Sequence, residues 1–178
     1  MIARLRDTMV SASGRPSQGR VAAVVVLLLV CHFALAVLAV RDKSSTFDEV
    51  AHLTAGVYNW KAGDYRLVPE HPPFAHLWAA LPVSAGNFKV PDANGPPWST
   101  SDVWNLGRRF LYESGNDAQA VLLRGRAMIA LLSVALGLLV WRWSRGLFGE
   151  AGGLLSLVLY TFNPATLANG ALITTDMA

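Results

Sequence analysis

Residues 21–40 read Val-Ala-Ala-Val-Val-Val-Leu-Leu-Leu-Val-Cys-His-Phe-Ala-Leu-Ala-Val-Leu-Ala-Val, a run interrupted by one ionisable side chain, His32. As a helix, a run of about twenty residues reaches about 30 Å, the thickness of the hydrocarbon core of a bilayer. Before it, Arg4, Arg6, Arg15 and Arg20 lie among Ser, Gly and Pro with only Asp7 to oppose them. That segment, 1–20, reads as a cytoplasmic tail and 21–40 as the first transmembrane helix. The rival reading is a cleaved signal peptide, since Ala34-Leu35-Ala36 resembles a cleavage box. The apolar run is longer than the 7–15 residues of an ordinary signal core, which favours the anchor.

Working outward, the 178 residues are 53% hydrophobic and 15% charged, with a mean hydropathy of +0.36. That is too apolar for an ordinary soluble domain and predicts an all-α integral membrane protein. The net charge of +3 comes from a basic excess beside the apolar runs, which suits membrane orientation and excludes nucleic acid as the expected partner. Cys31 is the single cysteine, so neither an internal disulfide nor a thiolate metal cluster can form.

Residues 41–124 are polar to mixed, rich in Pro, Gly, Trp and Tyr, and are expected to be an outer loop carrying short surface helices. A second apolar run, with flanking Arg124, Arg126, Trp141, Arg142 and Trp143, predicts a transmembrane helix over 125–143. A cytoplasmic loop over 144–150 and a third transmembrane helix over 151–169 follow. Asn163-Pro164 is expected to kink that third helix. Three crossings from a cytoplasmic amino terminus put 41–124 and 170–178 on the outer face of the plasma membrane. The chain stops two residues after Asp176, which reads as the truncated start of a second outer loop.

Three acids then face one compartment: Asp48, Glu49 and Asp176. Thr46-Phe47-Asp48-Glu49 fits a capping box, so both acids of the first pair can simply start a helix. Held above the bilayer beside Asp176, they also form a candidate active site. Val50, Leu53, Val57 and Trp60 share one stripe of that helix, which predicts that it lies on the membrane surface. In Pro69-Glu70-His71-Pro72-Pro73-Phe74-Ala75-His76-Leu77-Trp78, Pro73 is suited to open a second surface helix with Phe74, Leu77 and Trp78 toward lipid. Glu70, His71 and His76 read either as part of a site or as a structural turn. Asp48-Glu49-Val50-Ala51-His52 imitates a zinc-protease motif, but Asp replaces its first His and the paired-imidazole geometry is lost. His52 reads better as a polar contact near the acids, and His32 as a hydrogen-bonding residue between packed helices. Arg124 and Arg126, nearest the second apolar run, are candidates to bind either a lipid-linked phosphate or ordinary headgroups.

Thr46-Phe47-Asp48-Glu49-x-x-His52, then Gly63-Asp64-Tyr65-Arg66, then Pro69-Glu70-His71-Pro72-Pro73 resemble the first outer loop of bacterial protein O-mannosyltransferase-like glycosyltransferases. Leu147-Phe148-Gly149 with Gly152, Asn163-Pro164 and Thr174-Thr175-Asp176 are similar to the continuation of that family. The resemblance implies a multi-helix GT-C bundle in which a sugar, such as mannose, passes from a polyprenyl-phosphate donor to a protein or glycan acceptor at the outer face. It implies Asp48 as base, Glu49 and Asp176 as its assistants, and His71, His52, Arg124 and Arg126 as substrate contacts. Some relatives use a divalent metal ion near these acids. Family members continue through many more helices, so the resemblance also implies that this chain alone is inactive. Two other classes compete: a non-catalytic membrane scaffold or assembly subunit, in which the acids are only caps, and a transporter, against which counts the lack of an ionisable residue in the broken third helix.

Overall fold

The computed structural model describes residues 18–176, and within them every regular element is helical. The expected tail at 1–20 falls almost entirely outside the described residues. Helix α1 spans Gln18–Val40, α2 Phe47–Ala62, α3 Pro73–Ser84, α4 Gly95–Ser99 and α5 Val103–Arg108. A π-helical turn, Arg109–Glu113, leads on to α6, Ala118–Thr161, and α7, Pro164–Asn169.

Two of these helices, α1 with 23 residues and α6 with 44, are long and apolar enough to cross a membrane. Their side chains also face the right way for lipid. In α1 the buried residues Val21, Val25, His32, Ala36 and Val40 form one stripe toward the partner helices. The rest points outward, with Leu27 68% and Leu38 60% exposed, and Leu159 of α6 is 64% exposed. A contiguous apolar surface of this kind is what a soluble fold avoids.

The second long helix is not straight. Gly149 sits at φ 73°, ψ −174°, a conformation outside the helical region that glycine reaches without steric penalty, and the chain there turns back on itself. Leu157 packs with Val21 and Val25 of α1 and with Trp141, and the Tyr160 hydroxyl donates to the carbonyl of Ser133 at 2.7 Å. A methyl group on Gly137 would meet the Tyr160 ring at 2.9 Å, so glycine there lets the returning segment close on the first. Residues 144–148, expected as part of a loop, are helical, and the reversal is confined to the glycine. The returning helical segment of the hairpin ends at Thr161, and Asn163 then caps α7, its side chain accepting from the N–H groups of Ala165 and Thr166. Asn163-Pro164 therefore breaks the third apolar run outright, beyond the kink that the sequence suggested. His32 ties the bundle at mid-height: its Nε2 lies 2.7 Å from the Ser133 hydroxyl and its Nδ1 3.3 Å from the Thr161 carbonyl oxygen.

Helix α2 departs from the surface position expected of it. Every residue from Ala51 to Asn59 is buried, because the helix is enclosed by α3 and α5 rather than laid on one face. The small residues explain this. A Cβ on Gly56 would sit 2.0 Å from the His76 carbonyl oxygen, and one on Gly107 would meet Val50 at 2.5 Å. Backbones this close leave no apolar stripe free for lipid. Leu53 and Val57 instead join Val83 of α3, Phe110 of the π-turn and Ile129 of α6 in one core. Helix α3 does begin at Pro73, with Phe74 55% exposed, while the Trp78 indole turns inward and donates to the Met128 carbonyl of α6 at 2.7 Å.

Candidate functional site

The first turn of α2 separates its two acids. Glu49 takes hydrogen bonds from the Thr46 N–H at 2.9 Å and from the Ile173 N–H at 3.3 Å, and is fully buried. Its carboxylate meets the guanidinium of Arg126, from α6, through two bonds: Nε to Oε1 at 2.8 Å and Nη2 to Oε2 at 2.7 Å. The remaining Arg126 donors reach the carbonyls of Val40 and Lys43 from Nη1 and of Ser44 from Nη2. A guanidinium has five N–H donors, and all five are taken up. Burial by itself raises the Glu49 pKa, but the bonds from Arg126 and Thr46 outweigh it, and the carboxyl titrates below its ordinary value.

This knot joins the end of α1, the start of α2, α6 and the segment before Asp176. It also corrects the sequence reading in two places. Arg126 has no donor left for a lipid phosphate, and Glu49 has no open face toward an acceptor. A sequence cannot reveal this directly, because Glu49 and Arg126 are 77 positions apart. The capping-box position of Glu49 was the only local hint.

Asp48 has the opposite environment. It is exposed, and one helical turn further on lies His52, whose Nδ1 is 2.6 Å from Nε2 of His76 on α3. His71 completes a histidine trio, its ring centroid 5.0 Å from that of His52 and 6.3 Å from that of His76. From the last described segment, the Thr175 hydroxyl approaches His71 Nδ1 at 3.4 Å, and the next residue is Asp176, which accepts from the Thr174 hydroxyl at 2.9 Å. Burial lowers the His52 pKa and the charge of His71 lowers it further, whereas Asp48, Glu70 and Asp176 act in the opposite direction. Three carboxylates from three separate stretches of chain thus act electrostatically on one imidazole. His76 is pushed down to about 4, by burial first and then by its two histidine neighbours.

Beside the trio lies a cleft of about 240 Å³, lined by Ala55, Asn59, Tyr65, Val68, Pro69, His71, Pro73 and His76. Near it, Arg66 is paired with Asp64 at 2.6 Å and lies 5.0 Å over the Trp98 ring. Among the described residues no three His, Cys, Asp or Glu side chains converge closely enough to hold a metal ion.

The sequence-derived candidates therefore divide. Asp48, His52, His71 and Asp176 come together at this end of the molecule, Glu49 and Arg126 form the knot beneath them, and Arg124 lies apart. The Arg124 guanidinium stacks 4.8 Å over Phe88 and bonds weakly to the Ala120 carbonyl at 3.4 Å. His76, which the sequence left as either site or turn, is the residue that closes the histidine pair. Only the packing of α3 on α2 reveals it.

Compared with models of known protein families, with curated proteins and with solved structures, the chain matches none. What fold and site define is thus a class: an all-helical protein with two helices fit to cross a membrane and a cluster of acids and histidines beyond the end of the first. No family narrows it further.

Proposed function

We propose that the protein is a multi-pass membrane glycosyltransferase of GT-C type, in which Asp48 acts as base for transfer of a sugar from a polyprenyl-phosphate donor to an acceptor at the outer face. The observation that carries this reading is the trio of His52, His71 and His76 beside a cleft of about 240 Å³, with Asp48, Glu70 and Asp176 within electrostatic reach of His52. Three crossings are part of the proposal, and the reversal at Gly149 supports them by returning the chain alongside α1.

The chemistry requires a carboxylate that is ionised, exposed to the acceptor and free of strong partners. Asp48 is exposed, whereas Glu49 is buried and bonded to Arg126, Thr46 and Ile173. The acceptor hydroxyl would give its proton to Asp48 as its oxygen bonds to the anomeric carbon. The bond from that carbon to the phosphate oxygen would break, and the polyprenyl phosphate would leave with the electron pair. Arg124 remains as the exposed cation of the original pair. The test is transfer of labelled sugar from a polyprenyl-phosphate donor in membranes where the gene is expressed at full length. Asp48→Asn should abolish transfer without changing the amount of protein in the membrane, and transfer at the normal rate would contradict the assignment.

A second reading, a non-catalytic membrane scaffold or assembly subunit, is favoured by one observation: Glu49 and Arg126 are wholly engaged with the fold. It forecasts that no transfer is seen with any variant and that changing exposed Phe74 or Trp60 disturbs partner binding.

A further inference from the structure

The contact between α2 and α3 includes, beside its apolar residues, a pair of buried histidines. His52 is 6% exposed and His76 1%, and the 2.6 Å separation of their ring nitrogens admits one hydrogen between them. Each neutral ring carries a single N–H, so one ring donates and the other accepts. If both facing nitrogens carried protons, two donors would face each other and the rings would have to part. The backbones of α2 and α3 touch at this point, Gly56 lying against the backbone carbonyl of His76, so parting the rings strains the helix contact itself. The ring of His76 also lines the cleft, together with His71.

We propose that His52 and His76 share one proton across the α2–α3 contact and form an acid-sensitive joint, which separates on further protonation and opens the cleft that His71 and His76 line. The groups facing the pair set its response. Asp48 on α2, Glu70 in the turn before α3 and Asp176 in the last described segment favour a positive charge on His52, and His71 disfavours it. His71 likewise opposes a charge on His76, and among the described residues no carboxylate offsets it on that ring. The second proton is therefore resisted at His76. The sign follows: with folded-state values below the ordinary 6.5, stability from the pair is full above about pH 6.5 and falls as the pH drops toward about 4. For one such group, the ratio of folded to unfolded protein falls by up to about tenfold per pH unit within that window.

The joint stands whether or not the protein transfers sugars, and its test needs no turnover. His52→Asn combined with His76→Gln keeps an amide donor and acceptor near Nδ1 and Nε2 but removes the titration. Thermal unfolding of the full chain in detergent should show the wild type losing stability between pH 6.5 and 4 more steeply than the double variant. Hydrogen-exchange protection of the α3 amides, taken relative to their intrinsic exchange rate at each pH, should fall over the same range in the wild type alone. Equal pH slopes for the two proteins would overturn the proposal. Should the double variant not fold, nitrogen NMR of ¹⁵N-histidine-labelled wild type decides. Retention of a neutral His76 ring at pH 5 supports the joint, and two ordinary imidazolium rings at that pH overturn it.

Discussion

Replacing Arg126 with methionine removes the cation of a pair in which both side chains are 0% exposed. The Glu49 carboxylate then keeps the N–H groups of Thr46 and Ile173 but loses both guanidinium bonds, and the carbonyls of Val40, Lys43 and Ser44 lose their donors. Removing one member of a buried pair is destabilising by about 3–5 kcal/mol, chiefly because the other charge is stranded. The orphaned carbonyls add to this, although the end of a helix facing a headgroup region can recover water, so about 4 kcal/mol is a reasonable expectation. The assay is reversible unfolding in mixed detergent micelles at pH 7, compared with Glu49→Met/Arg126→Met. The double variant strands no charge and should be less destabilised than Arg126→Met alone. A single variant within about 1 kcal/mol of wild type, or a double variant worse than the single, would refute the view that the knot holds the end of α1 to α2 and α6.

Three further outcomes follow from the same contacts. Glu49 titrates below its ordinary 4.5, so the stability it contributes is present above about pH 4.5 and lost as the pH falls through the lower folded-state value; in unfolding runs from pH 6 to 3, Glu49→Gln should show a shallower loss than wild type. Gly56→Ala places a methyl group 2.0 Å from the His76 carbonyl oxygen and should destabilise the protein by at least about 1–3 kcal/mol, measured by the same unfolding assay. Trp78→Phe removes the 2.7 Å bond to the Met128 carbonyl while keeping most of the ring packing, for a loss of about 1 kcal/mol.

The helical class and the two long apolar helices were legible because composition and run length report directly on burial in lipid. So were the starts of α2 and α3, which rest on local chemistry: Glu49 reaching back to Thr46, and Pro73 in the first turn. The position of α2 was not legible. Its apolar stripe of Val50, Leu53 and Val57 has the same spacing on a membrane surface and in a core. The decision lies with Gly56 and Gly107, whose partners are distant in sequence. The reversal between the second and third apolar runs was expected as a loop over 144–150; that one glycine, Gly149, suffices for it was not. At the site, Asp48, His52, His71 and Asp176 were found as separate motifs, and Arg126 and His76 were named too, but the pairings among them were not. The division of labour between Asp48 and the adjacent Glu49 depends on Arg126, and the pairing of His52 depends on His76, both supplied by other helices.

The proposed outer-face chemistry requires the two long helices to cross a membrane and the acids to lie outside it. Cysteine accessibility tests this most directly. In a Cys31→Ser background, Lys61→Cys at the exposed end of α2 and Gly146→Cys beside the α6 reversal would be treated in intact cells with a membrane-impermeant maleimide. The expected result is labelling at position 61 from outside and at position 146 only after the membrane is opened. Equal labelling of both in intact cells, or position 146 alone, would contradict the arrangement and with it the proposed outer-face chemistry.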